Sequence, residues 1–279
     1  MEHIHNRLYT AYGLRLASEM ELPELMTAMD DGSEPDAWIT FADLSEFTAN
    51  WQPGKKYIAD DEKVLIYEPN VAFYCVKHNQ IQVMPIKQTE AGQYRLTIIR
   101  ICCSMLLVRR EIAPINAGGV VINGKAYAVI ADYGTGQLAL EAFMEAGYKL
   151  LGDEILAIAM NGKTNELTAY PGYPVAKMFH NEPLPLAGVL EIERANTHQI
   201  SISQITLLQR VQLFRNQSYL QLILREMNLE KWLFTFATRV ALSIPFYQIK
   251  QPLIGYSEQR LVHQILYAVS EKEIVSGML

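Results

Sequence analysis

A chain of 279 residues, half of them apolar and 19% charged, is long enough to bury a large core and falls outside the disordered class. Its 24 basic residues against 30 acidic ones leave a net charge of −6, which excludes global steering toward nucleic acid. Cys75, Cys102 and Cys103 are too few for a disulfide framework. Their apolar neighbours mark them as buried thiols of a reducing compartment, so a cytoplasmic location is expected.

The start, Met1-Glu-His-Ile-His, lacks the basic-then-apolar order of a secretory signal, and no run reaches about 18 apolar residues, so no membrane span is expected. His3 and His5 read as a terminal pair without a specific role. The first ninety residues read as short strands over 8–16, 38–41, 56–58, 64–68 and 71–76, rich in Tyr, Val, Ile and Phe. Turn signals at Asp31-Gly32, Pro53-Gly54, Asp60-Asp61 and Pro69-Asn70 separate them, which predicts a β-rich N-terminal domain over 1–90.

From there the spacing predicts strands over 81–86, 94–99 and 104–108. Asn123-Gly124 between two β-branched runs predicts a hairpin over 120–130, because a type I′ turn needs two left-handed residues. The returning strand meets the loop Ala131-Asp-Tyr-Gly-Thr-Gly136, and a helix over 137–146 follows with Gly147 as its stop. A strand over 148–151 then leads to Asp153-Glu154 and a further strand over 155–159. A strand is expected over 183–192. Helices follow over 203–214 (Ser203 its candidate cap), 220–224, 230–242 (stopped by Pro245) and 257–269, with a closing strand over 246–250.

A glycine loop between a strand and a helix is where phosphates are cradled, in the pattern G-x-x-x-x-G-K-[ST]. Here Gly136 keeps the late glycine, but Ala131 replaces the first, Gln137 the lysine and Leu138 the hydroxyl residue, while Asp132 adds a negative charge. Taken by itself the loop reads first as an ordinary tight turn. Asp153 and Glu154 read either as a divalent-ion or general-base pair or as a solvated turn. His180, His198 and His263 stand in unremarkable settings, no Cys/His spacing suggests zinc, and neither a nucleophile elbow nor an RNA-binding pattern occurs.

Taken in order, Tyr12-Gly-Leu14, Asn116-Ala-Gly-Gly-Val-Val-Ile-Asn-Gly-Lys125, the loop and helix at 131–146, Gly147-Tyr-Lys-Leu-Leu-Gly-Asp-Glu154, Tyr170-Pro-Gly-Tyr-Pro174 and Leu184-Pro-Leu-Ala-Gly188 give the chain a likeness across nearly its whole length. It resembles the catalytic domain of the HPr kinase/phosphorylase superfamily, and within it the short HPr-kinase-like proteins of peptide-tailoring clusters, lasso-peptide kinases among them. The resemblance implies an α/β fold: an HPr-kinase-like P-loop core over 91–279, with a β-rich N-terminal portion and a helical C-terminal portion. It implies Asp153 as the base toward an acceptor serine and Glu154 as the metal-side carboxylate. Asn116 stands where the family has the histidine that supports the aspartate. Nucleotide contacts fall on Asp132, Tyr133, Gly134, Thr135, Gly136, Gln137 and Leu138. The implied cofactors are Mg and ATP. The implied partner is a serine-bearing precursor peptide or a biosynthetic partner protein, with no nucleic acid and no membrane, and the helical C-terminal third allows a homo-oligomer. Lys177 or Lys163 would have to replace the missing loop lysine. Two readings stand side by side: a divergent peptide-serine kinase, and a pseudokinase that binds and transfers nothing.

Overall fold

A computed structural model of the protein describes residues 7–49, 51–87, 89–132, 134–173, 179–255 and 257–276. His3, His5, Tyr133, Pro174 and Lys177 lie outside the described residues. The chain is a mixed α/β protein with two compact units. One comprises Met1–Pro114, Tyr173–Val175 and Tyr219–Leu233; the other comprises Ile115–Gly172, Ala176–Ser218 and Phe234–Leu279.

The first unit is built on an eight-stranded sheet. Its strands are β1 (Arg7–Ala11), β2 (Leu14–Ser18), β3 (Met26–Thr27), β4 (Ala37–Phe41), β5 (Tyr57–Ala59), β6 (Lys63–Glu68), β7 (Ala72–Lys77) and β8 (Gln80–Pro85), in the spatial order β3-β1-β2-β4-β8-β7-β6-β5. The expected single strand over 8–16 is instead a hairpin. Tyr12 and Gly13 adopt φ of 56° and 78°, and two consecutive left-handed residues reverse the chain. A short helix, α1 (Ser45–Thr48), lies between β4 and β5.

The strands expected over 94–99 and 104–108 are likewise corrected. Residues 91–108 form one continuous helical stretch: α2 (Ala91–Thr97), a π-helical turn (Ile98–Cys102) and α3 (Cys103–Val108). Ile98, Ile99, Cys102, Cys103, Met105, Leu106 and Leu107 are fully buried. A helix covered on nearly all sides loses its amphipathic period, and a short apolar run then looks the same as a buried strand. The stretch is also long and apolar enough to cross a membrane by length and composition, but 61% of it is buried inside the protein, as suits a core helix.

All three cysteines are free and buried. Burial pushes the Cys103 thiol from an ordinary 9.0 up to about 12, and raises Cys102 and Cys75 as well. Unfolded thiols ionise first, so this contribution to stability is complete below about pH 9 and is lost as the pH rises through about 12. We expect no reaction with a thiol reagent at pH 8 in the folded protein, full reaction in denaturant, and a urea midpoint that falls above pH 9. A native protein whose thiols react at once would contradict the burial.

The second unit opens at Ile115, within β9 (Ala113–Asn116), and goes on through β10 (Gly118–Ile122), β11 (Lys125–Ala131), α4 (Thr135–Glu145), β12 (Leu150–Gly152), β13 (Ile155–Met160) and β14 (Leu167–Tyr170). It continues with β15 (Leu184–Ala195), β16 (Ser201–Gln204), α5 (Leu207–Asn216), then α6 (Gln221–Glu226), which belongs to the first unit, α7 (Glu230–Ser243), which belongs to the second unit from Phe234 on, β17 (Phe246–Pro252) and α8 (Glu258–Ser276). The sheet runs β12-β10-β11-β15-β14-β13-β9, and β17 pairs with β15 and β16. The hairpin at Asn123-Gly124 forms as expected, with φ of 51° and 73°. Residues 201–204 are strand rather than helix, and α5 starts later. Thr206, not Ser203, caps it in a reciprocal capping box with Gln209.

The core of this unit joins α4 (Ala139, Leu140, Phe143) and α8 (Leu261, Val262, Ile265) to the sheet through Val129, Ile192 and Ile249. Two glycines on β10 permit that packing. A Cβ on Gly118 would overlap Leu140 of α4, and one on Gly119 would stand 2.9 Å from Leu151 Cβ and Leu156 Cδ1. Overpacking of this kind costs about 1–3 kcal/mol. We therefore expect Gly119→Val to lower the unfolding free energy of this unit by about 1–3 kcal/mol, read as a fall in its urea midpoint; an unchanged midpoint would show that β10 and β13 are free to separate.

Candidate functional site

Strand direction, rather than any one side chain, assembles the candidate site. β11 and β12 each pair antiparallel with β10, so they run the same way and end at the same edge. Gly118 pairs with Val129 and Gly119 with Gly152, which sets Asn116 level with Ala131. The Ala117 N–H donates to the Glu154 carbonyl at 3.1 Å, closing the same edge. Asn116, the loop after β11 and the pair Asp153-Glu154 therefore converge at one end of three strands. In open α/β sheets this is the position of ligand crevices.

The loop itself is short. Residues 132–134 join β11 to α4, and Gly134 holds φ at 89°, a left-handed conformation that favours glycine. A Cβ on Gly136 would stand 3.4 Å from Ala131 Cβ, so the two ends of the loop lie close together. The Thr135 and Gly136 N–H groups donate to the Asp132 carbonyl at 3.1 and 3.2 Å, and the Leu138 N–H donates to Gly134 at 3.1 Å. An anion cradle needs such donors pointing outward; these close on the loop. Gln137 Nε2 donates to Glu141 Oε1 at 3.1 Å, one helical turn on, and Leu138 is 40% exposed. Asp132 and Asn116 are exposed, Thr135 is buried, and the Asn116 N–H donates to Gln217 at 2.7 Å.

Asp153 is exposed and Glu154 half-buried in the turn between β12 and β13. Among the described residues no group of three or more His, Cys, Asp or Glu could hold a metal ion. Lys163 is corrected as a substitute for the loop lysine. It follows β13, which runs away from Glu154, and at about 3.3 Å per residue it lies roughly 20 Å along the strand. A lysine side chain does not span that distance.

Charged groups missed from sequence stand on the neighbouring strand. β15 runs parallel to β11 with Ala131 opposite Ile192, so Glu193 and Arg194 extend past the same edge. Ile192 belongs to the core under α4, and alternation gives Arg194 the same face. Glu193 takes the other face and pairs with Lys250 of β17 at 3.4 Å. Glu191, two residues earlier, is held above the usual carboxylate range by burial and by the nearby Glu193. Only the parallel register reveals these groups; in the sequence, Glu-Ile-Glu-Arg reads as an ordinary alternating strand end.

No family model and no curated protein matches the chain. Among solved structures, the HPr(Ser) kinase/phosphatase from Coxiella burnetii is similar to 59% of this chain and 98% of its own, at 12% identity and a TM-score of 0.33. Both values are too low for that likeness to bear on fold or activity, so the site rests on its own geometry and residues.

Proposed function

We propose that this chain is an HPr-kinase-like protein with a degenerate phosphate loop, which binds a precursor peptide or a biosynthetic partner protein and transfers no phosphate. The observation that carries this reading is the closure of the Thr135 and Gly136 N–H groups onto Asp132, in a loop that holds neither lysine nor arginine. The residues present do not fit a magnesium–ATP complex. Gln137 brings no charge to the outer phosphates, Leu138 brings no oxygen to a metal, and Asp132 repels the anion.

The other reading is phosphate transfer from ATP, with magnesium, to a peptide serine. It is favoured by the convergence of Asp153, Glu154 and Asn116 at one sheet edge, with Asp153 toward the serine hydroxyl and Glu154 on the metal side. The two readings separate in one experiment. A tagged full-length chain is incubated with cell extract, magnesium and ATP carrying a labelled γ-phosphate. We expect a retained partner without label. Label in the partner that disappears in Asp153→Asn would establish the kinase reading instead.

A further inference from the structure

A cavity of about 560 Å³ opens between β16, β17 and α8. It uses a second stripe of α8. Leu261, Val262, Ile265 and Val269 face the core, whereas His263, Gln264 and Tyr267, on the adjoining stripe, line the cavity. Ile202 and Ser203 of β16 and Tyr247 of β17 complete the lining used here. Among the described residues β16 pairs only with β17, so the cavity is open along the free edge of the sheet.

The lining selects a chemistry. Tyr247 is 4% exposed and forms part of the wall, while Tyr267 is 61% exposed. The exposed Tyr267 ring offers flat apolar surface with a polar tip, and the buried Tyr247 closes the wall behind it. Gln264 carries both a donor and an acceptor, and Ser203 and His263 add further hydrogen-bonding groups. Among the described residues no lysine, arginine, aspartate or glutamate lines the cavity, so none of these side chains compensates an ionised ligand. The volume lies within the range of small-molecule sites. We infer that this cavity binds an uncharged, planar heteroaromatic compound of nucleoside size, with its ring against tyrosine and its polar edge toward Gln264. None of these residues belongs to the loop at 131–138, so the inference stands independently of the function proposed above.

The test is calorimetric titration of the full chain with the four neutral ribonucleosides and with their 5′-monophosphates. At least one ribonucleoside is expected to bind with a sub-millimolar Kd and to bind tighter than its monophosphate. Tyr267→Ala and Gln264→Leu, at exposed and half-buried positions, should each weaken it at least tenfold at an unchanged melting temperature. Gln137→Ala should leave it unaltered. Absence of binding by all four nucleosides, equal binding by both cavity variants, or tighter binding of the monophosphates would overturn the assignment.

Discussion

ATP with magnesium is expected to give no measurable heat of binding at micromolar concentrations. Each buried, charge-assisted phosphate contact that is absent removes about 2–5 kcal/mol, or roughly thirty- to several-thousand-fold in affinity. Two such contacts are absent here, at Gln137 and Leu138, and the Asp132 carboxylate opposes the ligand's charge. The loop donors of Thr135 and Gly136 would also have to break their bonds to Asp132 before meeting a phosphate. The double variant Gln137→Lys, Leu138→Ser is expected to raise the affinity, because it supplies a cation for the phosphates and a hydroxyl oxygen for the metal. A micromolar Kd for the native chain would defeat the expectation. In that event Arg194 is the group to test first: it stands past the same sheet edge as the loop, and Arg194→Ala would then weaken ATP if it substitutes for lysine.

Phe143→Ala is expected to produce the largest loss of stability among single substitutions in the second unit. Phe143 is fully buried, and its ring meets Tyr148 edge-on at 5.9 Å between centroids. It fixes α4 against the sheet, and the helix end is set by Gly147 at φ 89°, with the Tyr148 N–H donating to the Phe143 carbonyl at 2.9 Å. Removing such a ring costs about 3–5 kcal/mol, equivalent to a fall of roughly 6–20 °C in the melting temperature of a unit of this size. Scanning calorimetry should show the loss in one transition and leave the other in place. A shift of a degree or less would mean that α4 does not hold the sheet, and that the loop preceding it lacks a fixed base.

The local signals were legible where a few adjacent residues decide the conformation. Asn123-Gly124 specified a hairpin, Gly147 a helix stop, and Gly134 a strand-to-helix junction, since each depends on backbone freedom at that position. Signals failed where burial removes periodicity. The stretch 91–108 looked like two strands because almost every side of it is covered. They also failed at the start of α5, three positions from the expected cap: Thr206 with Gln209 satisfies both halves of a capping box, whereas Ser203 lies in an edge strand. Tyr12 at φ 56° gave no warning of a turn, because a tyrosine in the left-handed region is uncommon and only the pairing of β1 with β2 requires it there.

The sequence by itself determined the chemistry available at the loop: no lysine, no hydroxyl at 138, an added aspartate at 132, and an acidic pair after the next strand. Side-chain identity sets charge and hydrogen-bonding capacity wherever the chain goes. Only the tertiary structure decided which of these groups meet. Antiparallel pairing on both sides of β10 turned residues separated by dozens of positions toward one edge, and the parallel β15 brought Arg194 and the Glu193–Lys250 pair beside them. Strand direction and register depend on contacts between distant segments, and a pattern read along one segment does not contain them.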